Sequence, residues 1–242
     1  MPVGQCVILL CFVCMTAKTV HAGEAAVADP KTYLAPIVEI CQKQWPQNRM
    51  VNIICHGHSV PAGYFKTPIV DTFNAYPHLW HMALKDRFPF AVLNVFVTAI
   101  GGENSVAGAQ RFERDVLTRN PDLITIDYAL NDRGLGLETA RKAWESMIEK
   151  ALAKNIKVIL LTPTGDKTSK LDDPNDPLNQ HAEQIRNLAK KYNVGLADSL
   201  DAFKAHIKAG GTLEEIMSQV NHPNRKGHDL VVERLMAWIP AK

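Results

Sequence analysis

The sequence alternates short apolar runs with segments of helical spacing, and this alternation constrains the fold more than any other feature. The predicted strands cover residues 50–54, 91–97, 122–128, 156–161 and 194–197. Strands that are separated by helices form a parallel sheet with helices packed on both faces. We therefore predict an α/β fold, a three-layer α/β/α sandwich around a mainly parallel five-stranded sheet.

Apolar residues at helical spacing mark the segments between the strands. The predicted helices cover residues 32–44, 77–84, 104–118, 140–152, 178–192, 199–206 and 226–239. Residues 163–177 are rich in Pro, Asp, Lys and Thr and are predicted to form a surface loop, of the kind that can cover a site.

The first residues have the features of a secretory signal peptide. The apolar run at residues 6–15 is too short to span a bilayer, and a small-residue stretch follows it. We predict cleavage after Ala22 and a secreted or periplasmic protein. An uncleaved anchor helix and a lipoprotein attached at Cys14 are less favoured alternatives. Residues 23–49 then form an extension with a peripheral helix, and residues 50–242 form one α/β domain.

The charge and the cysteines limit the remaining classes. The net charge is +2, from 27 basic and 25 acidic side chains, with no long basic run, so nothing indicates a nucleic-acid partner. Cleavage of the leader would leave Cys41 and Cys55, which could form a disulfide. Two small buried hydrophobic side chains are the favoured alternative.

Ser59 follows the first predicted strand and lies between Gly57 and Gly63. Because Pro61 and Gly63 disfavour regular structure, we predict an irregular turn here. Parallel sheets place their ligand crevices at the carboxyl ends of the strands. A serine at this edge can meet a substrate, although an ordinary turn serine would give the same local pattern.

Four short blocks resemble, in order, those of the SGNH hydrolases, also called the GDSL-like esterase/lipase family. The resemblance spans roughly residues 50–239, and it departs from the usual motifs at His58, Ala129 and Gln219, which stand where the family has Asp, Gly and Asp. The blocks are Gly57-His58-Ser59, Ile100-Gly101-Gly102-Glu103-Asn104-Ser105, Ala129-Leu130-Asn131-Asp132, and Gln219-Val220-Asn221-His222-Pro223-Asn224 with Gly227-His228.

This resemblance implies a flavodoxin-like strand order and a set of site residues. Ser59 would be the nucleophile and His222 its base. The oxyanion hole would consist of the Ser59 N–H, the Gly102 N–H and the Asn131 side-chain amide, with Gly101 a rival for the second donor. Without the resemblance, His222 would be read as a helix-entry residue and Asn131 as a turn or cap residue.

Gln219 is the departure with the largest chemical consequence. An aspartate in this place orients the histidine and stabilises its charged form, whereas a glutamine oxygen can accept from Nδ1–H but carries no charge. We therefore predict a Ser59–His222 dyad, oriented by Gln219 or by a backbone carbonyl. His56, His58 and His228 add further imidazoles, but without a carboxylate at a ligand spacing we predict no metal site.

The predicted function is that of an exported serine esterase that hydrolyses carboxylic esters through an acyl-serine intermediate. A carbohydrate O-acetylesterase is the favoured form. The alternatives are a lipase-like or thioesterase-like acyl hydrolase, and a catalytically impaired carbohydrate-binding protein of the same fold. No cofactor is expected. The expected partner is a small-molecule or glycan ester, without nucleic acid and without stable membrane insertion after cleavage.

Overall fold

The computed structural model of the chain describes residue 1 and residues 26–240, so the predicted leader lies almost wholly outside the described residues. The strands form one sheet in the order β2-β1-β3-β4-β5, and every neighbouring pair is parallel. This is the flavodoxin-like order, and it confirms the predicted fold. The strands are β1 (Met50–Gly57), β2 (Val92–Val97), β3 (Leu123–Asp127), β4 (Lys157–Leu161) and β5 (Gly195–Ala197).

Helices cover both faces of the sheet. They are α1 (Ala35–Gln42), α2 (Ser59–Ala62), α3 (Tyr76–Arg87), α4 (Ser105–Asp115), α5 (Leu137–Leu152), α6 (Pro177–Tyr192), α7 (Ser199–Lys208), α8 (Leu213–Ile216) and α9 (Arg225–Met236). Among the described helices, none is long and apolar enough to cross a membrane.

The strand side chains alternate between two separate hydrophobic cores. In β4, Val158 and Leu160 join the core that includes α4 and α5, whereas Ile159 and Leu161 join the core that includes α1, α3 and α9. Successive side chains of a strand point to opposite faces, so a strand covered on both faces needs a continuous apolar run. Cys41 and Cys55 are free and buried, and both lie in the core that includes α1, α3 and α9.

The end of β1 is held close to the end of β3. Gly57 pairs in register with Asp127, and a Cβ atom at Gly57 would lie 2.5 Å from the Asp127 carbonyl oxygen. Only a glycine therefore allows the two backbones to approach so closely. This contact fixes where the chain leaves the sheet immediately before Ser59.

The prediction of an irregular turn after β1 is wrong, because α2 begins directly at Ser59. Pro61 lies in the first turn of this helix, where its missing N–H has no intrahelical partner to lose. Gly63 ends the helix with φ of 91°, a left-handed conformation that glycine adopts without a Cβ penalty. The serine thus sits at a helix N-terminus.

The loop after β4 also differs from the prediction, because its first residues are buried and not exposed. Residues 163–166 are buried, and exposure begins only at Lys167. The Asp166 carboxylate forms an ion pair with the Arg133 guanidinium, with 2.8 Å between Oδ2 and Nη2. The Lys167 N–H donates to the Val220 carbonyl at 2.9 Å. The start of this loop therefore contacts Arg133, directly after the third block, and Val220, within the fourth block.

Candidate active site

Ser59 and His222 meet at the carboxyl edge of the sheet. The Ser59 Oγ lies 3.0 Å from the His222 Nε2, and both residues are 5% exposed. Ser59 is placed by the junction of β1 and α2. His222 is placed by a short turn before α9, in which the Ser218 N–H donates to the His222 carbonyl at 2.9 Å. The two predicted catalytic residues are thus brought within hydrogen-bond distance.

A hairpin over residues 63–71 supplies the contacts behind the histidine ring. Tyr64 and Val70 form an antiparallel bridge, and the Asp71 N–H donates to the Gly63 carbonyl at 2.7 Å. The hairpin brings the Phe65 carbonyl oxygen to 3.3 Å from the His222 Nδ1. A carbonyl oxygen can only accept, so this contact favours the tautomer with the proton on Nδ1, which leaves Nε2 free to accept from serine.

Gln219 also faces the Nδ1 atom, but through its amide nitrogen. The Gln219 Nε2 lies 2.7 Å from the His222 Nδ1, while the Gln219 Oε1 accepts from the Thr67 N–H at 2.9 Å. Because a backbone N–H can only donate, Thr67 fixes the oxygen on its own side. The structure therefore differs from the expectation that the glutamine oxygen accepts from Nδ1–H. The Gln219 amide would donate to an unprotonated Nδ1, whereas the Phe65 carbonyl accepts from a protonated Nδ1, so the two neighbours favour opposite tautomers of His222.

Burial lowers the pKa of His222 below its ordinary value. The hydrogen bond that the His222 Nδ1–H donates to the Phe65 carbonyl raises the pKa, and positive charge on His58 would lower it further. A histidine with a lowered pKa is neutral near pH 7, which is the state that a general base requires.

Glycine and asparagine residues form the other side of the site. Gly102 has φ of 77°, and a Cβ atom there would meet no atom within 4 Å. Gly101 differs, since its Cβ atom would lie 2.6 Å from the Tyr64 ring. Within the described part of the chain, the N–H groups of Ser59 and Gly102 donate to no backbone carbonyl. Backbone conformation thus requires a glycine at position 102, and space requires one at position 101.

The Asn131 side chain is held in place by one of its two amide hydrogens. Its Nδ2 donates to the Glu103 carbonyl at 2.8 Å, which ties the third block to the second. An amide nitrogen has two donor hydrogens, so one stays free for a ligand. Asp132, the next residue, is fully buried and accepts from the Ser105 N–H at 2.8 Å and from the Trp144 Nε1 at 2.7 Å.

A buried polar network, which sequence reasoning missed, braces this side. The Arg111 guanidinium forms an ion pair with the Glu103 carboxylate, with its Nε 2.7 Å from Oε1. The Tyr128 hydroxyl donates to the same carboxylate at 2.7 Å and lies 3.1 Å from the His56 Nε2. Burial lowers the pKa of His56 to about 4, so this histidine is neutral in the network. These contacts fix the Glu103 backbone that holds Asn131.

Two sequence signals point to buried polar contacts near the site, one to this network and one to a separate contact of Asp127. Arg111 stands next to Phe112 on the buried face of α4, where a charged residue needs a partner. Asp127 closes the otherwise apolar or neutral strand β3, which is buried throughout. Its Oδ1 lies 3.4 Å from the Nε2 of His58, the residue before the serine.

His228, the last histidine of the four blocks, is engaged inside the protein. The His228 Nδ1 accepts from the Tyr76 N–H at 3.1 Å, and burial lowers the pKa of His228 to about 3. Across residues 26–240, no group of three or more His, Cys, Asp and Glu side chains is arranged to hold a metal ion.

The profile of the GDSL-like Lipase/Acylhydrolase family matches residues 55–230, a range that contains all four blocks. Among curated proteins, no match was found.

Solved structures share the fold at low identity. A two-domain esterase active on acetylated mannans is 19% identical with a TM-score of 0.71, covering 89% of this chain and 54% of that protein. This chain therefore spans about half of that esterase. An acetylxylan esterase from Geobacillus stearothermophilus is 18% identical with a TM-score of 0.70, covering 79% of this chain and 95% of that one. Catalytic mutants of that esterase replace a serine, a histidine, and an aspartate three residues before the histidine.

Proposed function

Since the chain belongs to the GDSL-like Lipase/Acylhydrolase family and is thereby a hydrolase of ester bonds, we propose that it is an exported serine esterase that removes O-acetyl groups from carbohydrates. The resemblance inferred from the four blocks is confirmed by the family match. The observation that carries the proposal is the 3.0 Å contact between the Ser59 Oγ and the His222 Nε2.

The mechanism follows from the positions of these groups. His222 accepts the Ser59 proton through Nε2 as the serine oxygen attacks the ester carbonyl. The N–H groups of Ser59 and Gly102 and the free Asn131 amide hydrogen stabilise the negative oxygen that develops. His222 then returns its proton to the departing alcohol. Water, activated by the same histidine, hydrolyses the acyl-serine and restores the enzyme.

Gln219 stands where the acetylxylan esterase has its catalytic aspartate, by its spacing of three residues from the histidine. We infer that His222 works without a directly bound carboxylate. The Phe65 carbonyl at 3.3 Å takes over the orienting role. Stabilisation of the charged histidine is correspondingly weaker than in an Asp-containing triad.

The proposed acetyl group and carbohydrate alcohol rest on the activities named for the structural neighbours, which are active on acetylated mannans and acetylxylan. A large cavity in the described residues lies away from the nucleophile and therefore does not serve as its acyl pocket. This cavity of about 770 Å³ lies between α5 and α6, and neither Ser59 nor His222 lines it. Long acyl chains need an apolar pocket at the nucleophile.

The test uses the purified chain starting at Gly23, with p-nitrophenyl acetate, p-nitrophenyl octanoate and acetylated xylo-oligosaccharides as substrates. We expect turnover of the acetyl esters, and we expect Ser59→Ala to lower kcat by about 10⁴-fold or more. Ser199→Ala is a matched control, because Ser199 is also a buried serine that begins a helix after a strand. It should keep full activity.

Two results would redirect the proposal. Faster turnover of octanoate than of acetate would favour the lipase-like alternative. Binding of xylo-oligosaccharides without any turnover would favour a carbohydrate-binding protein. Export is tested separately by N-terminal sequencing of the protein from culture medium or periplasm, which should begin at Gly23.

A further inference from the structure

The Ser59 hydroxyl has an imidazole on each of two sides. Besides the His222 Nε2 at 3.0 Å, the His58 Nδ1 lies 3.4 Å from the Ser59 Oγ. His58 is the N-cap residue of α2 and is only 1% exposed. It stands where the related family has an aspartate, so this second imidazole is a feature of this chain.

The hydrogen bonds of His58 fix its tautomer. The Val60 N–H donates to the His58 Nδ1 at 3.2 Å, so Nδ1 carries a lone pair. The proton of the neutral ring therefore resides on Nε2, which lies 3.4 Å from the Asp127 Oδ1. In this state the unprotonated Nδ1 faces the Ser59 Oγ, and the Nε2–H faces the Asp127 carboxylate.

Two side chains face the buried Asp127 carboxylate, the His58 ring and the buried Tyr76 hydroxyl. Asp127 is 2% exposed, at the end of a fully buried strand, and among the described residues its ion-pair partner is His58. A buried carboxylate is costly unless a partner compensates it. The backbone also holds the pair together, because the His58 N–H donates to the Asp127 carbonyl at 3.2 Å.

We propose that His58 and Asp127 are positioning residues for the nucleophile: Asp127 holds the His58 ring, and the ring holds the first turn of α2 through the Val60 N–H, so that the single Ser59 proton is directed to His222. The carboxylate that is missing behind His222 is thus present on the serine side of the site. This inference rests on the proposed esterase function, because it gives the pair a role in the attack by Ser59.

Asp127→Asn is the decisive variant, since it removes the charge and keeps the size and a hydrogen-bond acceptor. We expect kcat for p-nitrophenyl acetate to fall about tenfold with KM unchanged, as for a coupled pair of moderate strength. The second-order rate of Ser59 with a fluorophosphonate probe should fall by a similar factor. This rate reports the nucleophile directly and does not depend on substrate binding.

Two further variants separate positioning from stability. His58→Asn keeps an N-cap acceptor for the Val60 N–H but is too short to reach Asp127. Adding Asp127→Asn to it removes the buried charge, so this double variant should fold even where His58→Asn does not. If the two residues act as one unit, the double variant should be no slower than His58→Asn alone.

Asp198→Asn is the matched control, because Asp198 is a partly buried N-cap aspartate of α7 that pairs with Arg186 at 2.7 Å. It should lower the Tm without changing kcat. The inference is overturned if folded Asp127→Asn keeps kcat and the probe rate within twofold of the parent, or loses only Tm. Activity that survives Ser59→Ala would instead refute the proposed function, so the two failures are distinguishable.

Discussion

The two sides of Ser59, the proposed nucleophile, are built differently. On the oxyanion side, defined here as Gly102 and Asn131 with their supports Glu103, Arg111 and Tyr128, a buried ion pair fixes the backbone. On the base side, defined as His222, Gln219 and the hairpin of residues 63–71, the histidine is held by neutral amide and carbonyl groups. A charged pair thus supports the proposed oxyanion donors, whereas neutral groups surround the proposed base.

This difference has a physical reason. Oxyanion donors stabilise the transition state only if they are in place before the charge develops, because reorganisation would consume the gain. In the proposed mechanism, the base is instead protonated twice and deprotonated twice in each cycle. A neutral environment stabilises the charged histidine less, but it also keeps the histidine neutral and ready to accept a proton.

The ion pair of the oxyanion side should be the most sensitive element for stability. Arg111→Met leaves the Glu103 carboxylate buried without its cation, and the loss of one partner of a buried pair costs about 3–5 kcal/mol of unfolding free energy. Arg114→Met is the control, because the side chain of Arg114 is 77% exposed, so its pairing with Asp115 contributes little. Urea denaturation of both variants measures the difference.

The double variant Arg111→Met with Glu103→Gln sharpens this test. It removes the uncompensated charge, so it should recover a large part of the lost stability. A double variant that is as unstable as Arg111→Met would mean that packing of the arginine, and not its charge, supports the loop.

Asn131→Ala should have the next largest effect, and it should appear in catalysis. Loss of one oxyanion donor typically lowers kcat by about 10²–10³-fold. KM should change little, because the interaction is stronger in the transition state than with the bound ester. Steady-state kinetics with p-nitrophenyl acetate measure both values. A raised KM with unchanged kcat would recast Asn131 as a residue that only positions the substrate.

The sequence predicted the sheet and the edge at which the site lies, because both follow from local patterns. Buried parallel strands need continuous apolar runs, and residues after those runs share one edge. The contacts of His222 could not be predicted in this way. The Phe65 carbonyl and the Thr67 N–H are backbone groups of a hairpin 152 or more positions away from their partners, and any residue type provides them.

The helix at Ser59 was missed for a related reason. Pro61 and Gly63 usually interrupt regular structure, but Pro61 lies in the first turn of α2, where its missing N–H has no intrahelical partner, and Gly63 lies at the C-cap. The pairing of Asp127 with His58 depends on the register of β1 with β3, which the apolar pattern does not specify. The family resemblance supplied the strand order and the roles of the site residues, which the residues alone left open.

The smallest effect is expected from giving the base side a charge, through Gln219→Glu. Glutamate has the same length, so one oxygen can keep the contact with the Thr67 N–H, now at 2.9 Å, while the other accepts from the His222 Nδ1–H. The introduced carboxylate and the Phe65 carbonyl would then both accept from Nδ1–H, so both neighbours would favour the same tautomer of His222. A carboxylate at this distance favours the protonated ring and raises the pKa of His222.

The sign of the pH effect follows from the role of the base. In the proposed mechanism neutral His222 is the active form, so activity should be lost as the pH falls through the pKa of His222. Burial now holds this pKa below its ordinary value, and Gln219→Glu should move the acidic limb of kcat/KM to higher pH. The plateau should rise several-fold, because the charged histidine is better stabilised in the transition state. Gln219→Asp, which is too short for both contacts, should give a smaller shift. If Gln219→Glu leaves limb and plateau unchanged, the Phe65 carbonyl alone orients His222, and the base side works without any contribution from position 219.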